Sequence, residues 1–148
     1  MAYAINDKAL SLLLHLREDS RRKLTEISKK TRIPVSTLFD MLKMLQDGVI
    51  KKNTILLDFN ALGYSAHACI LIKAGKNGKE TLRRHLLVHP NVNSVFKINN
   101  DWDFLIETVH KNLKDLDEFV DDIERHGIEQ KKIHYLIDEI KKEGFNFC

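Results

Sequence analysis

The 148-residue chain predicts an α+β protein, a winged helix-turn-helix followed by a ferredoxin-like β-α-β-β-α-β domain. Three observations carry this. Apolar residues recur at helical spacing as far as Asp47, and beyond His67 strand-like runs alternate with helical ones. Charge divides in the same place. Residues 1–52 hold 11 Lys and Arg against 6 Asp and Glu, a net +5; residues 53–148 hold 13 against 15, a net −2. A basic front and a mildly acidic back suggest two jobs, with the front suited to a polyanion.

The first helix is expected over about residues 6–18. Asn6 or Asp7 can accept from its free N–H groups. Ala9, Leu12, Leu13 and Leu16 fall on one apolar face, with Leu10 and Leu14 as a second stripe against the same domain or a partner subunit. A basic connection, Asp19-Ser20-Arg21-Arg22-Lys23, leads to a short helix over 24–30. Thr31-Arg32-Ile33 is the turn. Pro34 suits the first position of a third helix over 34–47, because its missing N–H is no loss there. Leu38, Leu42 and Leu45 point inward and Gly48 supplies a left-handed stop. Val49-Ile50 and Ile55-Leu56-Leu57 can then pair as a hairpin, the wing, around Lys51-Lys52-Asn53-Thr54.

In this geometry the third helix enters the major groove of DNA. Ser36, Thr37, Phe39, Asp40 and Lys43 form its outward set. Ser and Thr hydroxyls can donate to phosphate or meet either base type, and Phe39 can meet a thymine methyl. Asp40 either accepts from a cytosine amino group or pairs with Lys43 on the same helix face. Arg21, Arg22, Lys23, Lys29, Lys30, Arg32, Lys51 and Lys52 flank this helix and together make a phosphate footprint. Most affinity is expected from them, with modest base readout from Ser36, Thr37 and Lys43.

In the second half, the turn over 58–64 leads to a strand over 67–73, broken by Gly75-Lys76-Asn77-Gly78. A helix over 80–89 turns Leu82, Leu86 and Leu87 inward. A strand over 92–98 meets one over 102–109 through Asn99-Asn100-Asp101, since Asn tolerates positive φ. The helix over 112–126 carries Leu113, Leu116, Phe119, Val120 and Ile123 on its apolar face, and the last strand spans 133–137. Two helices cover one sheet face, leaving the other for a second copy of the chain.

No nucleophile elbow, phosphate-cradling Gly loop or paired-carboxylate motif appears, so the reading is a non-enzyme with no catalytic residues and no cofactor. His85 and His89 stand at i, i+4, yet lack the Glu of H-E-x-x-H and a third ligand, so they read as a surface pair and not a metal site. Cys69 and Cys148 make no metal spacing and no disulfide framework. No apolar run approaches the roughly 20 residues that cross a membrane, and the start lacks signal-peptide features, so the cytoplasm is the simplest compartment.

The stretch Gly48-Val49-Ile50-Lys51-Lys52, the D-x-x-x-L-G-Y turn ending at Tyr64, His89-Pro90-Asn91-Val92 and Asn100-Asp101-Trp102-Asp103 together resemble the Lrp/AsnC, or leucine-responsive feast/famine, transcription regulators. The resemblance covers nearly the whole chain, in an archaeal-like style. It implies a sequence-specific regulator of double-stranded DNA that forms homodimers and can assemble to octamers. It also implies sensing of a small molecule such as an amino acid, with Asn99, Asn100, Asp101 and Trp102 at the effector rim. On this reading residues 1–54 bind DNA, 55–64 link, and 65–148 dimerise and sense. Two features depart from the family. Asn99-Asn100 and Trp102 replace a glycine and a tyrosine common at the sensing turn, and Asp40-Met41 stand where relatives carry arginine. The alternatives are an architectural DNA-binding protein without effector, and a tetrapyrrole-pathway enzyme on the same fold that recruits His110 and His134.

Overall fold

The computed structural model describes residues 5–146, so Cys148 lies outside the described residues. The chain runs α1 (Asp7–Glu18), α2 (Leu24–Thr31), α3 (Val35–Gly48), β1 (Ala66–Ala74), α4 (Lys79–Val88), β2 (Val92–Lys97), β3 (Phe104–His110), α5 (Leu113–Glu124) and β4 (Ile128–Tyr135). This is the α+β order expected. It forms two units, one ending at Leu56 and resumed from Glu143, the other spanning Leu57–Lys142.

In the first unit, Asn6 Oδ1 accepts from the Ala9 N–H at 2.9 Å and starts α1. Ala9, Leu12 and Leu13 meet Ile27, Ile33, Leu38 and Leu45 in a small buried core. Side-chain hydroxyls set the turn between α2 and α3. Ser28 Oγ donates to the Ile33 carbonyl at 2.6 Å, and Thr31 Oγ1 to the Ile27 carbonyl at 2.8 Å. Arg32 caps α2 in the left-handed region at φ 58°, its N–H reaching the Ser28 carbonyl at 2.8 Å.

The wing does not form as predicted. Helix α3 runs through Gly48, and Val49 follows at φ −107°, so no left-handed stop occurs there. The Val49 and Ile50 N–H groups both donate to the Leu45 carbonyl at 2.8 Å. Their side chains pack on the three-helix core. Groups used to end a helix cannot also build a ladder. No residue over 49–65 lies in a strand, and Ile55, Leu56 and Leu57 are exposed. A lone two-stranded hairpin buries too little to hold itself together.

The second unit is one antiparallel sheet in the order β2-β3-β1-β4. Burial alternates along β1, with Ala66, Ala68, Ile70, Ile72 and Ala74 turned to the helices, as the period of two requires. Phe104 and Ile106 of β3, Leu82 and Leu86 of α4, and Leu116, Phe119, Val120 and Ile123 of α5 complete this core. Leu87 and Leu113 are exposed instead. Leu113 keeps the helical register of Leu116 and Val120 but stands in the first turn of α5, directly after its cap Asn112, and Leu87 is turned one position away from Leu86. Strand β4 starts five residues earlier than expected, because Gly127 at φ 85° turns the chain straight out of α5.

The opposite sheet face is not covered by α4 or α5. Leu71 stands beside Leu105, and Leu105 beside Phe96, which makes an apolar row across three strands. Cys69 sits between Glu107 and His134 in the next row.

Candidate nucleic-acid interface and effector turn

Helix α3 buries Leu38 and Leu45, and the 3.6-residue period then sends Ser36, Phe39, Asp40 and Lys43 outward. Thr37 is half-buried. Phe39 is 59% exposed, so it is not a core residue. Among the described residues none of the ion pairs joins Asp40 to Lys43, so Asp40 stands unpaired on this face.

The eight flanking cations divide. Arg21, Lys23, Lys29, Lys30, Arg32, Lys51 and Lys52 are exposed, and none takes part in those ion pairs. Arg22 is different. Its Nη1 donates to Glu18 at 2.6 Å and lies 2.9 Å from His15 Nδ1, with only 14% of the side chain exposed. The hydrogen bond from Arg22 holds the Glu18 carboxyl below its usual range. Arg22 thus clamps the end of α1 and is spent within the unit. Arg32 combines an exposed charge with a strained backbone. Arg32→Gly is expected to keep or raise thermal stability while lowering the salt slope of DNA binding by about one. Calorimetry and salt titrations of affinity check the two effects separately.

The turn between β2 and β3 has Asn100 at φ 55° and Asp101 at φ 66°, and is closed by the Ile98 N–H donating to the Asp103 carbonyl at 3.1 Å. Asn99, Asn100 and Asp101 are exposed; Trp102 is half-buried. Sequence reasoning missed the residue that fastens this turn. The Asp103 carboxylate accepts from the Ala74 N–H at 2.9 Å and from the Lys79 ammonium, and its own N–H donates to the Ile72 carbonyl at 2.9 Å. The Lys79 hydrogen bond, then that from Ala74, holds the Asp103 carboxyl below its usual range. Nearby, the Gly75 N–H donates to the Gly127 carbonyl at 2.7 Å. A Cβ on Gly75 or Gly78 would come within 3.1 or 3.2 Å of that oxygen, so both glycines permit a close crossing of the two loops.

The histidines do not lie as the sequence suggested. His85 and His89 do have companions: Asp122 and His126 are brought against His85 by α5. His110 is fully buried on the helix side, and neither ring nitrogen has a hydrogen-bond partner among the described residues. Burial, then the neighbouring His89, pushes its pKa down. His134 pairs across from Cys69 on the open sheet face. His110 and His134 therefore occupy opposite faces of the sheet and do not gather at one pocket, against the tetrapyrrole alternative.

The described helices include none long and apolar enough to cross a membrane. Residues 67–144 match the Lrp/AsnC ligand binding domain, and residues 7–48 match the IclR helix-turn-helix domain. A protein of Pyrococcus furiosus described as an uncharacterized HTH-type transcriptional regulator is 34% identical, over 95% of this chain and 94% of its own. The HTH-type transcriptional regulator FL11 of Pyrococcus horikoshii is 35% identical over 72% of this chain and 71% of its own. Among solved structures, a transcriptional regulator of Neisseria meningitidis in complex with L-Met superposes with a TM-score of 0.87 at 22% identity, covering 94% of each chain. LrpC of B. subtilis superposes with a TM-score of 0.86 at 18% identity, covering 94% of this chain and 99% of that one. These last two likenesses speak for the fold. With the ligand binding domain matched over more than half of its length and relatives alike over nearly all of it, the chain belongs to the Lrp/AsnC family of transcriptional regulators.

Proposed function

We propose that this protein regulates transcription by binding double-stranded DNA as a homodimer in the cytoplasm, with α3 in the major groove. The observation that carries this is a helix face, Ser36, Phe39, Asp40 and Lys43, with no side chain ion-paired among the described residues, set among seven exposed cations that are likewise not ion-paired there. Cations not already neutralised within the chain release counterions from the phosphate backbone, which supplies affinity. The sparse polar set on α3 supplies selectivity. Residues 1–54 do this work in the proposal, and residues 65–148 pair and sense.

Two variants separate the terms. Replacing Lys51 and Lys52 with Ala is expected to weaken all DNA about equally and to lower the salt slope by roughly one to two. Asp40→Asn is expected to erase discrimination at one C·G pair, worth about 1–3 kcal/mol, as a carboxylate that accepts from a cytosine amino group requires. A uniform tightening of every DNA would show instead that Asp40 only repels phosphate. Binding unchanged in both variants on operators varied one position at a time would remove α3 from the interface.

The effector rim in this proposal is Asn99, Asn100, Asp101 and Trp102, with an amino acid as the first candidate; the Neisseria relative was crystallised with L-Met. Trp102, half-buried beside the turn, is the reporter. Its fluorescence and the melting temperature shift with the ligand that binds there. Silence across the amino acids and common metabolites would favour an architectural protein without effector.

A further inference from the structure

The helix side of the second unit carries a cluster that the DNA-binding reading does not use. His85 of α4, Asp122 of α5 and His126 just beyond α5 each offer a donor atom, and the three donors lie within 4.8 Å of one another. We propose that His85, Asp122 and His126 bind a divalent first-row transition cation of the zinc class, which ties α4 to α5.

Three features separate this cluster from a chance surface grouping. The first is convergence. His85 and Asp122 are 37 residues apart, yet His85 Nε2 lies 2.8 Å from Asp122 Oδ2. The His85 and His126 rings are stacked at 3.8 Å between centroids and 17° between planes. A tetrahedral ion with bonds near 2.1 Å needs donors roughly 3.4 Å apart. Small side-chain rotations reach that spacing. The second is tautomer. His126 Nδ1 lies 3.0 Å from the Asp122 backbone carbonyl. A carbonyl only accepts, so Nδ1 carries the proton and Nε2 keeps its lone pair for a cation. A ligating histidine is ordinarily oriented in this way, by a bond from its other nitrogen. The third is chemistry. Two imidazoles and one carboxylate suit zinc, nickel or cobalt, whereas calcium and magnesium favour oxygen donors.

The rest of the surroundings fits. Both His85 and Asp122 are half-buried, so an ion can enter from solvent and still be held away from most of it. His89 lies one helical turn beyond His85, with ring centroids 5.4 Å apart. Its Nδ1 accepts from the Asn91 N–H at 3.2 Å. It is a further imidazole in ring contact with His85, and water or His89 completes the coordination. Helix α4 packs on β2 and α5 on β3, so an ion between them would cross-link two helices seated on different strands.

The test uses the full-length protein after chelator treatment, titrated with Zn2+ and separately with Co2+. One ion per chain is expected to bind at about micromolar affinity, raising the melting temperature, with Co2+ giving the visible absorption of a low-coordinate site. His85→Ala, His126→Ala and Asp122→Asn are each expected to weaken binding about tenfold or more. Asp122→Asn nearly preserves shape, and circular dichroism verifies that it folds. His134→Ala, on the other sheet face, is expected to bind as the parent does. Failure of the parent to bind either ion at about 100 μM overturns the proposal. So does binding that survives all three site variants, or that falls equally in His134→Ala.

Discussion

Leu71→Glu is expected to leave the chain folded but monomeric, and to weaken operator binding about a hundredfold. Leu71 is on the sheet face that α4 and α5 leave open, in the row it shares with Leu105 and Phe96. In the proposed dimer that row meets its copy. A carboxylate placed there would be buried without a partner on both sides of the two-fold, at a cost of several kcal/mol per charge. Each 1.4 kcal/mol is tenfold in a dissociation constant, so a dimer of ordinary affinity is lost at micromolar concentration. Operator binding falls with it, because linking two half-site contacts multiplies affinity by about 10² to 10⁴ without any new contact. Leu87→Glu is the matched control, an exposed leucine on the helix layer whose replacement is expected to change neither property. Light scattering gives the mass and a gel or fluorescence titration the affinity. A Leu71→Glu protein that remains dimeric would move the interface off the sheet.

Asp103→Ala is expected to destabilise the second unit by about 2–3 kcal/mol. Hydrogen bonds to charged groups contribute about 1.5–3 kcal/mol, and removing this acceptor leaves the Ala74 N–H without its partner. For a unit of this size that lowers the melting temperature by roughly 8–24 °C. Asp103→Asn retains an acceptor for Ala74 and loses the ion pair with Lys79, so it is expected to fall between the two. The acid limb gives a second reading. Because the folded carboxyl titrates below its ordinary value of 3.8, the stabilisation it provides is whole above about pH 4. It drains away as the pH falls through the lower, folded value. Parent and Asp103→Ala stabilities are therefore expected to converge in acid and separate towards neutral pH. Parallel curves would show that Asp103 acts through shape and not through charge.

The local elements were legible in the sequence because they rest on local physics. The period of 3.6 in Ala9, Leu12 and Leu13, the Asn6 cap, and the alternation of Ala68, Ile70 and Ile72 are decided by residues near one another in the chain. Of the outward set on α3, Ser36, Phe39, Asp40 and Lys43 followed from the same period once Leu38 and Leu45 were placed inward, whereas Thr37 is half-buried. The order of the domains followed from the same patterns, and resemblance to known regulators added the family and the candidate effector turn.

What the sequence could not decide depended on competition between distant groups. Val49 and Ile50 were suited by propensity to a strand, yet the Leu45 carbonyl and the three-helix core took their N–H groups and side chains, and no wing remained. Arg22 looked like one more cation of a phosphate footprint until Glu18 and His15 claimed it. Asp103 gained its role only from Ala74 and Lys79, 29 and 24 residues earlier. The histidines make the point most sharply. His85 and His89 were visible as a pair at the end of one helix, but the carboxylate and the second imidazole that give His85 its chemistry arrive from α5 and the turn just beyond it, 37 and 41 residues away. Periodicity fixes which way a side chain points from its own element; only the packing of one element on another fixes what it meets.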